Sequence, residues 1–315
     1  MIVALAGGVG GARLAKGLTE VLAPDELLIV ANTGDDFEHL GLHISPDLDT
    51  VMYTLAGTND PVQGWGIAGE TWGFMQALER LGGETWFRLG DRDLATHVER
   101  TRLLRAGRSL SWITRELCMR LGVHHRVTPM SDDAVRTMVH TSIGTLTFQD
   151  YFVRNRAEPA VTRVEFAGAE RAAMSQALRT ALESTALEAV LVCPSNPYLS
   201  IAPILALPGM RAALERRRVP VVAVSPIVGG RALKGPAAKI MRELEQEPSS
   251  LTVAQFYRGL IDALVLDQVD ANLCGPIETL GIRALPTDTV MKDHRLGVTL
   301  ARSVVALART LGNAR

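Results

Sequence analysis

Residues 2–32 read IVALAGGVGGARLAKGLTEVLAPDELLIVAN and set the architecture expected of the whole chain. Two short apolar runs, residues 2–6 and 27–31, predict buried strands, because each run ends at a glycine or a polar residue. Between them, residues 12–22 carry leucine and valine at helical spacing. A strand, a helix and a second strand in this order predict a parallel sheet with a right-handed crossover.

Four later apolar runs repeat this pattern. Residues 189–192, 219–224, 264–267 and 282–285 each read as a strand that enters a polar or proline- and glycine-containing turn. A final helix is predicted over residues 297–311. The alternation of strands and helices predicts an α/β protein with a Rossmann-like, doubly wound and mainly parallel sheet.

The middle of the chain has a different pattern, and it defines the domain organisation that we expect. Residues 61–149 are predicted to form a mostly helical insertion, with short strands at 137–142 and 145–148. Residues 1–60 and 150–315 are then predicted to form one Rossmann-like, nucleotide-binding core, against whose sheet the insertion packs.

Composition and charge exclude several classes of protein. The chain has 315 residues, of which 47% are hydrophobic and 21% charged, as in soluble globular proteins. A formal net charge of -1 provides no broad basic field for nucleic acid or an anionic membrane. No apolar run is long enough to span a membrane, and no basic segment precedes the first apolar run as in a signal peptide. Three scattered cysteines predict no zinc site and a reduced, cytoplasmic setting.

The turn after the first predicted strand is rich in glycine. Gly7, Gly8, Gly10 and Gly11 would let the backbone approach a ligand closely, and the helix that follows offers N–H groups to an anion. Arg13 stands where a dinucleotide fingerprint would have its third glycine, so the turn differs from that motif. A tight turn alone needs fewer glycines, and we therefore predict phosphate binding here.

Acidic residues follow the second strand and recur before the next apolar run. Asp35 and Asp36 lie where open α/β sheets place their ligands, and such carboxylates can hold Mg²⁺. Helix capping in a solvated loop is an equal alternative for Asp36, whereas Asp35 favours a functional role. Either Asp47 or Asp49 could cap the following helix, which leaves the other without a structural explanation.

Two further turns follow buried strands. Ser195 and Asn196 lie in one turn, and Ser225 and Pro226 lie in the other. The hydroxyl and amide groups could bind a base, a ribose or a phosphate, and loop stiffness is the alternative explanation.

Aromatic residues and the absence of nucleophile motifs limit the ligands and reaction types that we expect. Trp65, Trp72 and Trp86 are predicted to be core residues of the insertion, although a flat aromatic ligand would need such a wall. No GxSxG or HExxH pattern is present, so a mechanism of positioning and charge stabilisation is favoured over a covalent one.

Ten stretches together resemble one family, the 2-phospho-L-lactate transferases of coenzyme F420 biosynthesis, whose bacterial counterparts are phosphoenolpyruvate transferases. Each stretch is modest alone, but their common order along nearly the whole chain is specific. They are GGVGGARL at 7–14, NTGDD at 32–36, GLHISPDLDTVMYTLAG at 41–57, WGIAGETWG at 65–73, LGDRDLATH at 89–97, PMSDD at 129–133, FQDYFVR at 148–154, PSNPYLSIAPILALPGMR at 194–211, VSPIVGGRALKGPAAK at 224–239 and PTDTVM at 286–291.

The resemblance implies a reaction and its participants. A phosphorylated three-carbon acid (2-phospholactate, phosphoenolpyruvate or 3-phosphoglycerate) moves from a guanosine diphosphate-activated donor to the ribityl 5′-hydroxyl of the deazaflavin Fo. GMP is released. The resemblance also implies dependence on Mg²⁺ and a homodimer, with no nucleic acid or membrane partner.

The resemblance further assigns roles to residues. Asp49 and Arg88 match Fo-binding positions, so the insertion would contribute to the deazaflavin site. Asp35 matches a metal-binding acid, and Asp35 and Asp49 are the expected catalytic residues. The residues that match the nucleotide and phosphate region are Gly7, Gly8, Gly10, Gly11, Arg13, Ser195, Asn196, Ser225 and Pro226.

Two other functions stay open at this point. A non-catalytic regulator of the same superfamily that binds a nucleotide or nucleotide-sugar would share the glycine-rich start. A dinucleotide-dependent oxidoreductase would need the fingerprint that Arg13 interrupts. The SPDLDT and LGDRD segments favour the transferase over both.

Overall fold

The computed structural model describes residues 1–216 and 218–314. Its strands are β1 (Ile2–Ala6), β2 (Leu27–Ala31), β3 (Phe37–His39), β4 (Leu42–Ile44), β5 (Arg126–Pro129), β6 (Arg136–Thr141), β7 (Gly144–Thr147), β8 (Val161–Ala167), β9 (Ala189–Val192), β10 (Val221–Val224), β11 (Ile227–Val228), β12 (Arg231–Ala232), β13 (Ala263–Asp267) and β14 (Arg283–Thr287). Its α-helices are α1 (Gly8–Thr19), α2 (Pro46–Ala56), α3 (Gly73–Arg80), α4 (Asp91–Arg105), α5 (Leu110–Arg120), α6 (Gln176–Glu183), α7 (Ala202–Leu205), α8 (Met210–Glu215), α9 (Ala237–Glu243), α10 (Ser250–Phe256), α11 (Cys274–Glu278) and α12 (His294–Asn313).

A seven-stranded sheet forms the centre of the fold. Its order is β14-β13-β10-β9-β1-β2-β5, and every neighbouring pair is parallel. The strands that come first in the chain, β1, β2 and β5, extend the sheet toward one edge. The later strands, β9, β10, β13 and β14, extend it toward the other edge, so the strand order reverses between β1 and β9. The predicted doubly wound parallel sheet is confirmed, and this reversal is where such sheets bind ligands.

Burial on both faces explains why these strands read as continuous apolar runs. All five residues of β1 are buried, with Ile2 and Ala4 facing one layer of helices and Val3 and Leu5 facing the other. The first layer contains α1, α2, α5 and α12, and the second contains α6, α7, α9 and α10. No helix in the described part of the chain is both long enough and apolar enough to cross a lipid bilayer.

Helix α1 begins four residues earlier than the sequence predicts. The predicted start at residue 12 is wrong, because Gly8 to Gly11 already form the first turn of the helix. Glycine is a poor helix former, so its low propensity hides this turn from a sequence-based prediction. Packing of the glycine-rich turn against the segment after β9, described below, stabilises the helical conformation there.

The middle segment is helical as predicted, with α3, α4 and α5 inside it, but it also contributes to the central sheet. Residues Arg126–Pro129 form β5 and pair with β2 at the sheet edge. Strand β6 pairs with β7 on one side and with β8 on the other, in a separate antiparallel sheet that extends beyond residue 150. The division at residues 60 and 150 stays a prediction, although one strand inside 61–149 belongs to the central sheet.

Candidate active site

Two polar turns are joined at the carboxyl end of the central strands. Gly7 follows β1, and Ser195 follows the neighbouring strand β9. The Ser195 hydroxyl accepts a hydrogen bond from the Gly7 N–H (3.0 Å) and donates one to the Gly7 carbonyl (2.8 Å). Asn196 uses its side-chain oxygen to accept from the Tyr198 N–H, while its buried Nδ2 has no partner among the described residues. Ser195 therefore holds the turns together, and Asn196 keeps a donor for a ligand.

The four glycines divide into two groups. A Cβ on Gly10 would lie 2.4 Å from the Pro194 carbonyl oxygen, and one on Gly11 would lie 2.5 Å from Ser195 Oγ. These two glycines therefore serve the close approach of α1 to the turn after β9. Gly8 has a positive φ of 62° and open space around its Cβ position, so it faces the place where a ligand can lie.

A carboxylate already lies at the N-terminus of α1. Asp47, in the first turn of α2, accepts a hydrogen bond from the Gly8 N–H at 2.8 Å. A Cβ on Gly7 would lie 2.5 Å from Asp47 Oδ2, so this glycine is what lets the carboxylate approach the turn. The positive end of the helix favours such an anion. Asp47 is therefore a site residue, a role that sequence reasoning left undecided between Asp47 and Asp49.

Asp35 and Asp47 are held together by one amide. The Asn32 Nδ2 donates to Asp47 Oδ2 at 3.0 Å and to Asp35 Oδ2 at 3.3 Å. Burial raises the pKa of Asp35 well above its usual range, and the charge of Asp47 raises it further. Burial also raises the pKa of Asp47, against hydrogen bonds from Asn32 and Gly8 that lower it. A bound cation would relieve this unfavourable burial of charge.

The atoms near this pair suit a hard cation. Asp35 Oδ1 is buried and has no hydrogen-bond partner among the described residues, and the same holds for Asp36 Oδ1. The other oxygen of Asp36 accepts from the Ser45 hydroxyl at 2.7 Å and lies 3.1 Å from His43 Nε2. Mg²⁺ uses one or two carboxylates together with water and phosphate oxygens. Asp35 thus has the chemistry expected of a metal ligand, and its role as one stays a prediction.

Asp49 lies in a different buried cluster. Arg100 is completely buried and donates to both oxygens of Asp49, at 3.0 Å for the Nη1 to Oδ2 pair. His97 Nδ1 lies 3.6 Å from Asp49 Oδ2, and His97 Nε2 lies 3.3 Å from Asp93 Oδ1. Tyr53 donates its hydroxyl to Asp93 at 2.6 Å. This cluster carries its own positive charge.

The second cluster also holds the closest set of potential metal ligands. In the described residues, only Asp49, Asp93 and His97 offer three ligand atoms within 4.8 Å of one another. Arg100 already neutralises Asp49, however, and its guanidinium would repel a cation. The first cluster, which lacks such a counter-charge, therefore suits a cation better than the second.

A cavity of about 220 Å³ lies beside the second cluster. Arg88 lines it, with its guanidinium stacked over the Trp72 ring at 4.0 Å. Trp65 and Asp93 also line this cavity, whereas Asp49 does not. The prediction that Trp65 is a core residue is wrong, because this side chain is 48% exposed. Two indole rings and a guanidinium are suited to a flat aromatic ligand.

A larger cavity of about 430 Å³ lies on the side of the first cluster. Asp35 and Asp36 line one part of it, and Trp86 and Phe148 supply aromatic surface. Arg154 stacks over Trp86 at 4.4 Å and lines the same space. Trp86 is therefore also a cavity residue and not only a core residue.

Contacts of the first turn of α1 extend to residues that line each cavity. A Cβ on Gly64 would meet the Val9 side chain at 2.6 Å, so the 60–66 segment packs on that turn. Lys234 donates to the carbonyls of Val62 and Gln63, at 3.1 Å and 2.5 Å. Gln63 lines the smaller cavity. The 60–66 segment therefore links the first turn of α1 to the smaller cavity. Asp47 and Asn32 link the same turn to Asp35, which lines the larger cavity.

Two of the predicted nucleotide residues, Arg13 and Ser225, bond to other parts of the protein. Arg13 donates to the Met291 carbonyl at 2.9 Å, which ties α1 to the segment after β14. The Ser225 hydroxyl is buried and bonded to Ser250 Oγ at 2.9 Å, so it stabilises its own turn, next to Pro226. Direct binding of a nucleotide by Arg13, Ser225 and Pro226 stays a prediction.

Sequence reasoning missed two residues of the second cluster, Asp93 and Arg100. Asp93 belongs to a stretch of alternating charges that reads as an exposed turn. Arg100 belongs to a helix with many charged residues, which reads as a solvated face. No local sequence signal identifies them, because the pairing of Arg100 with Asp49 joins distant segments and only the tertiary structure reveals it.

The sequence has clear relatives along its whole length. The family described as 2-phospho-L-lactate transferase CofD matches residues 2–299. A protein named phosphoenolpyruvate transferase from Streptomyces griseus is 41% identical over 315 residues, with 98% of each chain covered. A protein named 2-phospho-L-lactate transferase from Methanosarcina acetivorans is 40% identical, with 98% of this chain and 100% of the other covered.

The fold also has a solved counterpart. A crystal structure of a UPF0052 family member from Bacillus halodurans aligns with a TM-score of 0.63 over 96% of this chain and 98% of that chain. The two sequences are only 13% identical, so this similarity concerns the fold alone.

Proposed function

The chain belongs to the 2-phospho-L-lactate transferase CofD family, and we propose that it is a transferase of coenzyme F420 biosynthesis. The proposed reaction moves a phosphorylated three-carbon acid from a guanosine diphosphate-linked donor to the ribityl 5′-hydroxyl of Fo (7,8-didemethyl-8-hydroxy-5-deazariboflavin) and releases GMP. The family match over residues 2–299 carries the proposal, because it includes every segment of the site. The acid stays open, since relatives named for phosphoenolpyruvate and for 2-phospho-L-lactate are 41% and 40% identical.

Magnesium is the cation that we assign to Asp35 and Asp47. Two buried carboxylates that share one amide donor, one with an unpartnered oxygen, fit an ion that prefers carboxylate and phosphate oxygens. When bound, the ion would neutralise the diphosphate of the donor as negative charge develops on the leaving GMP. Asp35 and Asp47 are the residues that would hold it.

The first turn of α1 would bind the phosphates of the donor. Helix geometry leaves its N–H groups without intrahelical acceptors, and the positive end of the helix favours an anion. Gly8 donates to Asp47, so we assign the N–H groups of Val9 and Gly10 to the donor. Asn196, with its buried Nδ2, would supply another donor from the turn after β9.

The acceptor would occupy the smaller cavity. Arg88 and Trp72 provide a stacked, cationic wall for the flat deazaflavin ring, and Trp65 provides a second aromatic surface. The ribityl chain would then bring its 5′-hydroxyl to the donor phosphorus at α1. The new O–P bond forms as the phosphoanhydride bond to GMP breaks, and the hydroxyl proton passes to water. Such alignment can contribute up to about 7–11 kcal/mol of the barrier.

The direct test is an assay of the purified protein with Fo, Mg²⁺ and each of the three candidate donors in turn. We expect GMP and a phosphodiester of Fo to form in equal amounts with one donor, as separated by chromatography. Fo that binds, with no GMP formed from any of the three donors, would contradict the proposal.

The non-catalytic regulator remains the alternative function, and the same assay separates the two. A regulator would bind the nucleotide but would neither retain Fo nor release GMP.

The homodimer and the cytoplasmic setting also stay proposals. Light scattering of the purified protein measures the first, and fractionation of cells that express it measures the second.

A further inference from the structure

Lys234, in the segment after β12, is bonded to the backbone of the 60–66 segment. Its ammonium donates to the Val62 carbonyl at 3.1 Å and to the Gln63 carbonyl at 2.5 Å. An ammonium has three N–H donors, so one donor is left for a ligand. Hydrogen bonds from Gln63 and Val62 lower the pKa of Asp60, and the charge of Lys234 adds to this effect, but the two side chains form no ion pair. Lys234 therefore keeps a donor and a charge for a bound anion.

The ammonium of Lys234 lies beside the first turn of α1. A Cβ on Gly64 would lie 2.6 Å from Val9 Cγ1 and 3.4 Å from Lys234 Nζ, so the helix turn and the ammonium face the same point. Val9 belongs to the turn whose N–H groups we assign to the phosphates of the donor. Because a lysine carries its charge on a flexible four-carbon stem, Lys234 can reach an anion that is bound at this turn.

The charges of the proposed donor site require a cation besides the metal. The carboxylates of Asp35 and Asp47 would neutralise a divalent cation, which leaves the charge of the donor diphosphate without a full counter-charge. Helix N–H groups supply only a partial positive charge. Arg13 of α1 donates to the Met291 carbonyl at 2.9 Å. The ammonium of Lys234, with a donor to spare, can supply the missing charge.

We propose that Lys234 binds the diphosphate of the donor and, through its bonds to the 60–66 segment, couples donor binding to acceptor binding. Gln63 lines the smaller cavity, so a diphosphate that holds Lys234 in place also holds one wall of that cavity. Such coupling is reciprocal, and each substrate would strengthen the binding of the other. This inference rests on the proposed function, which supplies the guanosine diphosphate-linked donor as the anion.

Calorimetric titration with GDP in the presence of Mg²⁺ tests the binding role. Lys234→Met should weaken GDP binding about 10- to 100-fold, as the loss of a charged hydrogen bond predicts. Lys234→Arg keeps the positive charge and should lose much less affinity. Lys239→Met is the matched control, because Lys239 lies in α9 of the same motif and pairs with Glu243. GDP affinity in this control should stay within about twofold of wild type.

The coupling needs a second readout, which is the Fo affinity measured by fluorescence with and without saturating GDP. In wild type, GDP should strengthen Fo binding by about fivefold or more, as for other coupled sites. In Lys234→Met, saturating GDP should have little effect on Fo affinity. A merely structural role of Lys234 would change Fo affinity equally with and without GDP, and the ratio of the two affinities would stay as in wild type.

Unchanged GDP affinity in Lys234→Met would overturn the binding role, and so would equal losses in Lys234→Met and Lys234→Arg. A wild-type ratio of Fo affinities in Lys234→Met, or no effect of GDP on Fo binding in wild type, would overturn the coupling. A wild-type protein that fails to bind GDP, or fails to bind Fo, would refute the proposed function itself, and the inference would then fall with it.

Discussion

Asp47 and Asp49 stand two residues apart in the first turn of α2, yet they belong to opposite electrostatic environments. Asp49 is paired with the buried guanidinium of Arg100. Asp47 shares the amide of Asn32 with Asp35, and no lysine, arginine or histidine of the described residues forms an ion pair with either. One cluster is complete without a ligand, whereas the other holds two buried carboxylates that lack a counter-charge.

Helix geometry produces this difference. Successive residues of an α-helix are rotated by about 100°, so residues i and i+2 point in different directions. Asp47 therefore contacts α1 and Asn32, which follows β2, while Asp49 contacts α4. The comparison teaches that a run of similar acids can contain both a structural ion pair and a ligand site. The counter-charge, and not the residue type, distinguishes them.

The largest effect is expected from breaking the complete cluster. Arg100→Met leaves Asp49 buried without a counter-charge and should lower the free energy of unfolding by about 3–5 kcal/mol. Urea denaturation measures this loss. Arg102→Met is the control, because Arg102 is 62% exposed and pairs with Glu99 at the surface, where solvent screening leaves little or no loss to be expected. Equal losses of unfolding free energy in the two variants would show that the buried Arg100 pair stabilises the protein no more than the exposed Arg102 pair does.

The next effect concerns the cluster that lacks a counter-charge. Asp35→Asn removes a proposed cation ligand and should reduce turnover by ~10²–10³, as for other groups that stabilise developing charge. Fo affinity should change far less, because Asp35 does not line the smaller cavity. Steady-state kinetics and Fo titration measure the two effects, with the exposed Asp25→Asn as the control. Wild-type turnover in Asp35→Asn would remove Asp35 from the mechanism.

A smaller effect is expected from moving Asp47 without removing it. A Cβ on Gly7 would meet Asp47 Oδ2 at 2.5 Å and Ser200 Cβ at 2.6 Å, so Gly7→Ala should cost about 1–3 kcal/mol. Gly275→Ala has open space around its Cβ and lies in α11, where alanine should stabilise by up to ~1 kcal/mol. Thermal melting compares the two variants. If Gly7→Ala is as stable as wild type, Asp47 is not held as the structure indicates.

The sheet could be predicted from the sequence because its strands are buried on both faces. β1, β2 and β9 match their predicted bounds, since each is a continuous apolar run between polar or glycine-containing turns. β5 was missed because its sequence RVTP begins with arginine and ends with proline, as an edge strand can. Pairing with β2 forms this strand, and pairing between distant segments is not a local signal.

The site could be predicted only in part, for a similar reason. Asp35 was identified because it follows a buried strand at the sheet reversal. Asp47 and Asp93 were not identified, because their roles depend on which neighbours α1 and α4 bring to them. Arg100 is completely buried inside a helix rich in charged residues, and only its pairing with Asp49 accounts for that burial.

The central claim is that Asp35 and Asp47 bind a divalent cation, and thermal melting at two pH values tests it. Because burial raises both pKa values, the stability that the protonated carboxyls contribute is present at acidic pH and is lost as the pH rises through the raised pKa values. A bound cation restores it, by about 2.7 kcal/mol at ~100 times its Kd.

The measurement is the Mg²⁺-induced shift of the melting temperature at pH 5 and pH 8, for wild type and Asp35→Asn. The account predicts a larger shift at pH 8 than at pH 5 in wild type, and a much smaller shift at pH 8 in the variant. Equal shifts in the two proteins at both pH values, or no shift in wild type, would contradict it.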